Sequence, residues 1–121
     1  MPAAWLVRIA AIGFLFAAAP AFAHSYPTSA EPPMNGTVKT APSEVVIDFT
    51  GALEPALSTF EVFDANGTRV DTGDAHTVPG NAKRMRVGVK PLPAGTYTVK
   101  WHATAIDTHR TEGSFAFTIA P

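Results

Sequence analysis

The sequence predicts an all-β fold, an immunoglobulin-like Greek-key β-sandwich or barrel of about seven strands. Apolar and polar residues alternate with a period of two in several short segments, which is typical of strands with one buried face. Clusters of proline, glycine, asparagine and aspartate separate these segments at intervals of roughly 8–12 residues. No window longer than a few residues carries the apolar stripe of an amphipathic helix. A sandwich is therefore favoured, and a small barrel is the alternative.

The elements follow in order along the chain. The proline-rich stretch His24–Thr40 is predicted to form an edge strand and a connecting loop. Gly51–Leu57 is predicted to form a short helical turn, and Asn66-Gly67 and residues 91–95 to form turns between strands. Each strand directs its apolar residues inward at alternate positions. The predicted strands are Glu44–Thr50, Ser58–Asp64, Thr68–Asp71, Arg84–Val89, Thr96–Ala105 and a last strand containing Phe115, Phe117 and Ile119.

The amino-acid composition excludes several classes of protein and of metal site. The chain has 121 residues, 46% hydrophobic, with a formal net charge of −1 and no cysteine. The balanced charge excludes the basic footprint of a nucleic-acid-binding protein, and the apolar content excludes a disordered chain. Disulfides, thiolate zinc sites and iron–sulfur clusters need cysteine. Any metal must therefore be held by histidine, carboxylate, methionine or main-chain groups.

Residues 1–23 have the layout of a secretory signal peptide. One basic residue, Arg8, precedes an apolar run from Ile9 to Ala19, and the segment ends in the small-x-small sequence Ala21-Phe22-Ala23. That run is about half of the roughly 20 apolar residues that a membrane-spanning helix needs, which disfavours an uncleaved anchor. We expect cleavage after Ala23, because a cut after Ala19 would leave a proline first.

The chain therefore divides into a signal peptide, residues 1–23, and one exported domain, residues 24–121. Loss of Arg8 with the signal peptide changes the formal net charge from −1 to −2. After cleavage, no stable membrane insertion is expected. His24 then becomes the amino-terminal residue.

The four histidines differ in their expected environments. His102 lies on the side of its strand opposite Tyr97, Val99 and Trp101, which predicts an exposed surface residue. His76 is predicted to lie in a polar loop. A lone histidine on either surface would bind a metal only weakly.

His24, Asp107 and His109 are the candidate metal ligands. An amino-terminal histidine offers its α-amine and its near ring nitrogen to one metal ion. Asp107 and His109 are two residues apart, so in an extended segment both side chains point to the same side. Three nitrogens and one carboxylate oxygen suit the tetragonal coordination of Cu(II), and Zn(II) is the competitor because it takes the same ligands tetrahedrally.

No other chemistry is indicated. Cu(I) favours thioethers and thiolates, but the exported part has only Met34 and Met85, and Met85 lies at an inward position of its strand. The sequence carries no serine nucleophile motif, no supported pair of carboxylates and no phosphate-binding glycine loop. No catalytic residue or organic cofactor is therefore predicted, and we expect that the protein is not an enzyme.

In these residues and in their spacing, the chain resembles the CopC family of periplasmic copper-binding proteins. The resemblance covers almost the whole exported part. It rests on the signal peptide ending directly before His24, on Ala41-Pro42 before Val45-x-Ile47-x-Phe49, on Leu92-Pro93-Ala94-Gly95-Thr96-Tyr97-x-Val99-x-Trp101, and on Asp107-x-His109-x-x-x-Gly113-x-Phe115-x-Phe117.

This resemblance implies a periplasmic protein that holds Cu(II) through the amino terminus, His24, Asp107 and His109. It implies a monomer acting in copper sequestration, trafficking or resistance, with a CopD-like inner-membrane copper transporter as partner. The family pattern has glycine where Thr108 stands, which is expected to alter the turn without removing a ligand. The chain also lacks the methionine cluster of members with a Cu(I) site, and it resembles the Cu(II)-only members.

Two alternatives remain open at this stage. Lytic polysaccharide monooxygenases also bind copper through an amino-terminal histidine on a β-sandwich, but they need a larger domain with a flat aromatic face. Trp101, the tryptophan outside the signal peptide, is at an inward position and does not supply such a face. The other alternative is a metal-free interaction module of immunoglobulin type.

Overall fold

The computed structural model describes residues 24–121, which form two four-stranded β-sheets packed against each other. The predicted signal peptide and its cleavage point after Ala23 lie outside the described residues. One sheet has the strand order β1 (Pro27–Glu31), β3 (Glu44–Phe49), β6 (Asn81–Gly88), β5 (His76–Val78). The other has the order β2 (Gly36–Val38), β8 (Arg110–Ile119), β7 (Gly95–Thr104), β4 (Thr59–Phe63).

The topology is that of a Greek-key sandwich, so the predicted fold class is confirmed. Neighbouring strands are antiparallel except for β2 and β8, which pair in parallel. The connections β1–β2, β2–β3, β3–β4, β4–β5 and β6–β7 cross from one sheet to the other. Within residues 24–121 the two sheets share no strand, which distinguishes the sandwich from the closed barrel considered as its alternative.

His24–Thr40 and Thr68–Asp71 differ from their predicted structures. His24–Thr40 supplies two short edge strands, β1 and β2, one on each sheet, where a single edge strand was expected. Thr68–Asp71 was predicted as a strand, but it forms only isolated bridges, Phe63 with Arg69 and Asp71 with Val89. Both backbone hydrogen bonds, such as Val70 N–H to Val62 O (2.8 Å), and side-chain hydrogen bonds to Asp71 hold this segment without a continuous ladder.

The predicted inward residues form the core. Val45, Ile47, Phe60 and Val87 are fully buried, as expected from the alternation. The remaining core members are Phe49, Leu53, Val62, Met85, Leu92, Tyr97, Val99, Trp101, Ala103, Phe115, Phe117 and Ile119. Burial of this apolar surface between the sheets is the main stabilising contribution to the fold.

Trp101 occupies its inward position because a glycine lies opposite it. Trp101 pairs with Gly113 across β7 and β8, and a Cβ at Gly113 would lie 2.7 Å from Trp101 Cζ2. The indole also contacts Phe49 edge-to-face, with ring centroids 5.9 Å apart. Gly113 therefore makes room for the largest side chain of the core.

The predicted turns are present. Gly67 has a φ of 82° and donates its N–H to Asp64 O (3.0 Å), which closes the turn after β4. The Tyr97 hydroxyl donates to Pro93 O at 2.6 Å and fixes the proline-rich turn before β7. The helical turn expected in Gly51–Leu57 is a 3₁₀ helix over Pro55–Leu57. No helix in residues 24–121 is long and apolar enough to cross a membrane.

The β7–β8 hairpin ends in a loop that favours glycine at one position. Ala105 N–H donates to His109 O (2.9 Å) and Thr108 N–H donates to Ala105 O (2.8 Å), which leaves three residues in the loop. Thr108 is the last of them and has a φ of 74°. Three-residue hairpin loops commonly place a glycine at this left-handed position. A β-branched threonine there is strained by about 1–2 kcal/mol.

A buried carboxylate organises the segment after β4. The Asp71 side chain is fully buried and accepts hydrogen bonds from Val62 N–H (2.8 Å), Gly73 N–H (2.8 Å) and Arg69 Nε (2.9 Å). Burial acts to raise the pKa of this carboxyl, but the hydrogen bonds from Arg69, Val62 and Gly73 outweigh it and lower the pKa below its ordinary value. Asp71 is therefore held in its ionised form.

Replacing Thr108 by glycine is expected to raise the free energy of unfolding by about 1 kcal/mol, because relief of the left-handed strain exceeds the added entropy of the unfolded chain. Urea denaturation measures this change. Thr68→Gly is the control: Thr68 is also exposed in a loop but has no left-handed φ, so it should lose about 0.5–1 kcal/mol. A loss of stability in Thr108→Gly would contradict this account of the loop.

Asp71→Asn is expected to lower the free energy of unfolding at pH 7 by about 2–3 kcal/mol, because an amide cannot replace a carboxylate that accepts three hydrogen bonds. Since the folded pKa lies below the unfolded value of about 3.9, the stabilisation is complete above that value and disappears as pH falls through the folded pKa. Urea denaturation at several pH values should show the deficit shrinking in acid.

Glu61→Gln provides the control for Asp71→Asn, because Glu61 is a more exposed partner of the same arginine (Arg69 Nη1 to Glu61 Oε2, 3.3 Å). It should cost less than about 1 kcal/mol. A deficit in Asp71→Asn that stays equal between pH 7 and pH 3 would rule out the assigned role of the carboxylate.

Candidate metal centre

Ser25, the residue after His24, is the buried anchor of the amino-terminal segment. It has no exposed surface, and its Oγ donates to Gly51 O (2.9 Å) and accepts from Gly51 N–H (3.2 Å). Its carbonyl oxygen accepts from Thr111 Oγ1 at 2.6 Å. Ser25 is therefore held both to the end of β3 and to β8.

Thr50 fixes the backbone on either side of Ser25. Its Oγ1 donates to His24 O and accepts from Tyr26 N–H, each at 3.1 Å. Its own N–H donates to Tyr26 O at 2.8 Å. The main chain of His24 is thus tied down at its carbonyl, while the residue itself is exposed to solvent.

Asp107 and His109 lie in the β7–β8 loop and its closing pair. His109 N–H donates to Asp107 Oδ1 (3.1 Å), and His109 Nδ1 lies 3.3 Å from Asp107 Oδ2. The backbone hydrogen bond from His109 holds the pKa of the Asp107 carboxyl below its usual range. The two side chains were expected to face the same way in an extended segment, but a tight loop with Thr108 in the left-handed region brings them together instead.

The structure brings the two candidate histidines together from opposite sheets. The His24 and His109 rings meet edge-to-face, with centroids 5.0 Å apart and planes at 78°. Asp107 lies beside the same His109 ring (Oδ2 to Nδ1, 3.3 Å), so all three residues are in one neighbourhood. His24 precedes β1 of one sheet, and His109 precedes β8 of the other.

The three side chains are neighbours without being preformed as a metal site. Among residues 24–121, no group of three or more histidine or acidic side chains has the arrangement of a metal centre. In the 121-residue chain, the backbone nitrogen of His24 belongs to a peptide bond to Ala23. Removal of residues 1–23 would convert that nitrogen to an amine. Two imidazoles, an amine and a carboxylate would then be a donor set of the type that suits a divalent transition-metal ion.

The other two histidines lie elsewhere. His102 is exposed, as predicted, and its Nδ1 is 3.4 Å from Oε1 of Glu112, its partner on β8. The prediction of a loop position for His76 is wrong, because His76 begins β5 and pairs with Arg86. Next to this pair the Asp74 carboxylate accepts from Gly88 N–H at the end of β6 (3.1 Å), and His76 Nδ1 lies 2.7 Å from Asp74 O.

The methionines are core residues. Met85 is fully buried between the sheets, and Met34 is a half-buried residue packed against the core. Their thioethers are therefore occupied in packing, in keeping with the expectation of no methionine-rich site in this part of the chain.

Sequence reasoning missed the residues that position the amino terminus. Ser25, Thr50 and Thr111 are ordinary hydroxyl residues in the sequence, and no motif marks them. Their contacts join residues 26 and 86 positions apart, which depend on how the two sheets pack. The available signal was the position of Ser25 directly after a candidate ligand.

The chain matches known proteins along most of its described length. A model of the CopC domain family matches residues 27–120. Copper resistance protein C of Xanthomonas campestris pv. juglandis is 32% identical over 110 residues, covering 85% of each chain. Copper transport protein CutJ of Bacillus subtilis is 32% identical over 116 residues, which are 95% of this chain and 21% of that protein. The chain thus spans about a fifth of CutJ.

Two solved structures superpose on this chain over most of its length. CopC from Methylosinus trichosporium OB3b superposes with a TM-score of 0.71 at 29% identity, covering 81% of this chain and 95% of that one. PcoC from Escherichia coli, described as a methionine-rich copper resistance protein, gives a TM-score of 0.71 at 28% identity, with 81% and 100% coverage. The resemblance noted in the sequence is confirmed: the chain belongs to the CopC domain family.

Proposed function

We propose that this chain is a periplasmic protein that binds one Cu(II) ion as cargo and acts in copper sequestration, trafficking or resistance. As a CopC-family protein it belongs with copper resistance and copper transport proteins and not with enzymes. This agrees with the expectation of no catalytic residue and weighs against the monooxygenase alternative. The observation that carries the proposal is the approach of the His24 and His109 rings beside Asp107.

The proposed ligands are the α-amine and imidazole of His24, the imidazole of His109 and the Asp107 carboxylate. Three nitrogens with one anionic oxygen match the preference of Cu(II) for tetragonal nitrogen and oxygen ligands. The lowered pKa of Asp107 supports this role, because its carboxylate is available as a ligand without loss of a proton. Cleavage after Ala23 is part of the proposal, since it creates the amine.

The choice of Cu(II) over Cu(I) rests on the sulfur ligands. PcoC is described as methionine-rich, whereas this chain has three methionines in all. The two in the described part, Met34 and Met85, are packed in or against the core. Cu(I) favours thioether and thiolate ligands, so this chain is better suited to Cu(II).

We further propose that the protein acts as a monomer and exchanges copper with an inner-membrane transporter of the CopD type. The match to a fifth of a longer copper transport protein supports this partnership, because a CopC-like part and other parts are there joined in one chain. Export is supported by the signal-peptide layout of residues 1–23.

Alanine substitution of the histidines tests the ligand assignment. His24→Ala and His109→Ala should each weaken Cu(II) binding by about 100-fold or more, because each removes a direct ligand. His76→Ala and His102→Ala remove exposed imidazoles from other parts of the surface and should leave the affinity within about threefold. Competitive Cu(II) titration of exported protein, with the intact mass recorded to verify the amino terminus, gives the comparison. Equal losses at all four histidines would defeat the assignment.

A further inference from the structure

We propose that Thr111 is a positioning residue for the metal centre. This inference rests on the Cu(II)-binding function proposed above. Its Oγ1 donates to Ser25 O at 2.6 Å, across 86 positions of sequence. Ser25 directly follows His24, and Thr111 lies two residues after His109. One side-chain hydrogen bond therefore connects the residue next to His24 with a residue two positions from His109.

The bond connects parts of the molecule that belong to different sheets. Ser25 leads into β1 of the first sheet, and Thr111 belongs to β8 of the second. The contacts of Thr50 and Gly51 hold the same segment to the end of β3, which is again in the first sheet. The contacts of Thr50 and Gly51 fix His24 relative to the first sheet. The Thr111 hydroxyl fixes the same segment relative to β8, the strand that begins directly after His109.

The hydroxyl of Thr111 can be removed without disturbing the pairing of Thr111 in β8. The residue is half-buried and pairs with Ala103 across β7 and β8, so its backbone belongs to the ladder whatever its side chain. Valine has the same branched shape and high strand propensity but no hydroxyl. Thr111→Val thus removes the connection to Ser25 and retains the strand.

Loss of this connection should widen the range of distances that His24 and His109 sample. A metal centre with loosely positioned ligands binds more weakly, and loss of a supporting interaction typically costs about 10–100-fold in metal affinity. Thr111→Ser retains the hydroxyl and should restore binding. Because Thr111 is not a ligand, the ligand atoms themselves stay the same in both variants.

The experiment compares exported wild-type protein with Thr111→Val and Thr111→Ser by competitive Cu(II) titration and electron paramagnetic resonance. We expect Thr111→Val to bind about 10-fold more weakly, with altered g and copper hyperfine values, and Thr111→Ser to match the wild type. Thr118→Val is the matched control, because Thr118 is a half-buried threonine of the same strand whose Oγ1 lies 3.1 Å from Thr96 Oγ1. It should lose stability without changing copper affinity or the spectrum.

The outcomes separate this inference from the function on which it rests. If correctly cleaved wild-type protein binds no Cu(II) tightly, both are wrong. If the wild type binds tightly and Thr111→Val matches it in affinity and spectrum, the positioning role is wrong and the function stands. Equal effects of Thr111→Val and Thr118→Val would also overturn the positioning role. If Thr111→Val does not fold, Thr111→Ala is judged by the same two readouts.

Discussion

The pairing of β7 with β8 is the interaction on which both the core and the candidate metal centre depend. The two strands pair from Gly95 with Ile119 to Thr104 with Arg110 without a break in register. This register places Trp101 against Gly113 and directs the aromatic residues of both strands inward. A slip of one residue would turn every side chain of a strand to the other face. The same hairpin ends in the loop that presents Asp107 and His109.

The candidate metal centre also requires that the segment around Ser25 stays fixed to both sheets. Ser25 is buried and held from β8 and from the end of β3, and these contacts fix the backbone next to His24. After the proposed cleavage they would hold His24 in place, where a chain terminus otherwise frays. The candidate metal centre therefore lies between the sheets, with one histidine next to a strand of each, so that sheet packing sets the distance between the two histidines.

Much of the fold follows from the sequence, because burial on one face of a strand leaves a period-two pattern. The alternation in Glu44–Phe49 and in β7 identified core residues correctly. Thr68–Asp71 was misassigned because it makes only isolated bridges, to Phe63 of β4 and to Val89 after β6, and hydrogen bonds to the buried Asp71 carboxylate add to these. The glycine expected from the family at position 108 has a physical reason, the left-handed φ that Thr108 adopts here. The sequence alone could not reveal Ser25 or Thr111, because their contacts depend on how two sheets pack.

The central claim is that removal of residues 1–23 creates a Cu(II) site whose ligands include the α-amine of His24. Its most direct test is a competitive Cu(II) titration, with intact masses recorded, of exported protein beginning at His24 beside the same protein retaining Ala23. The account predicts one tight equivalent for the chain that begins at His24 and much weaker binding when Ala23 blocks the amine. Equal affinity of the two chains, or no tight binding by the first, would contradict it.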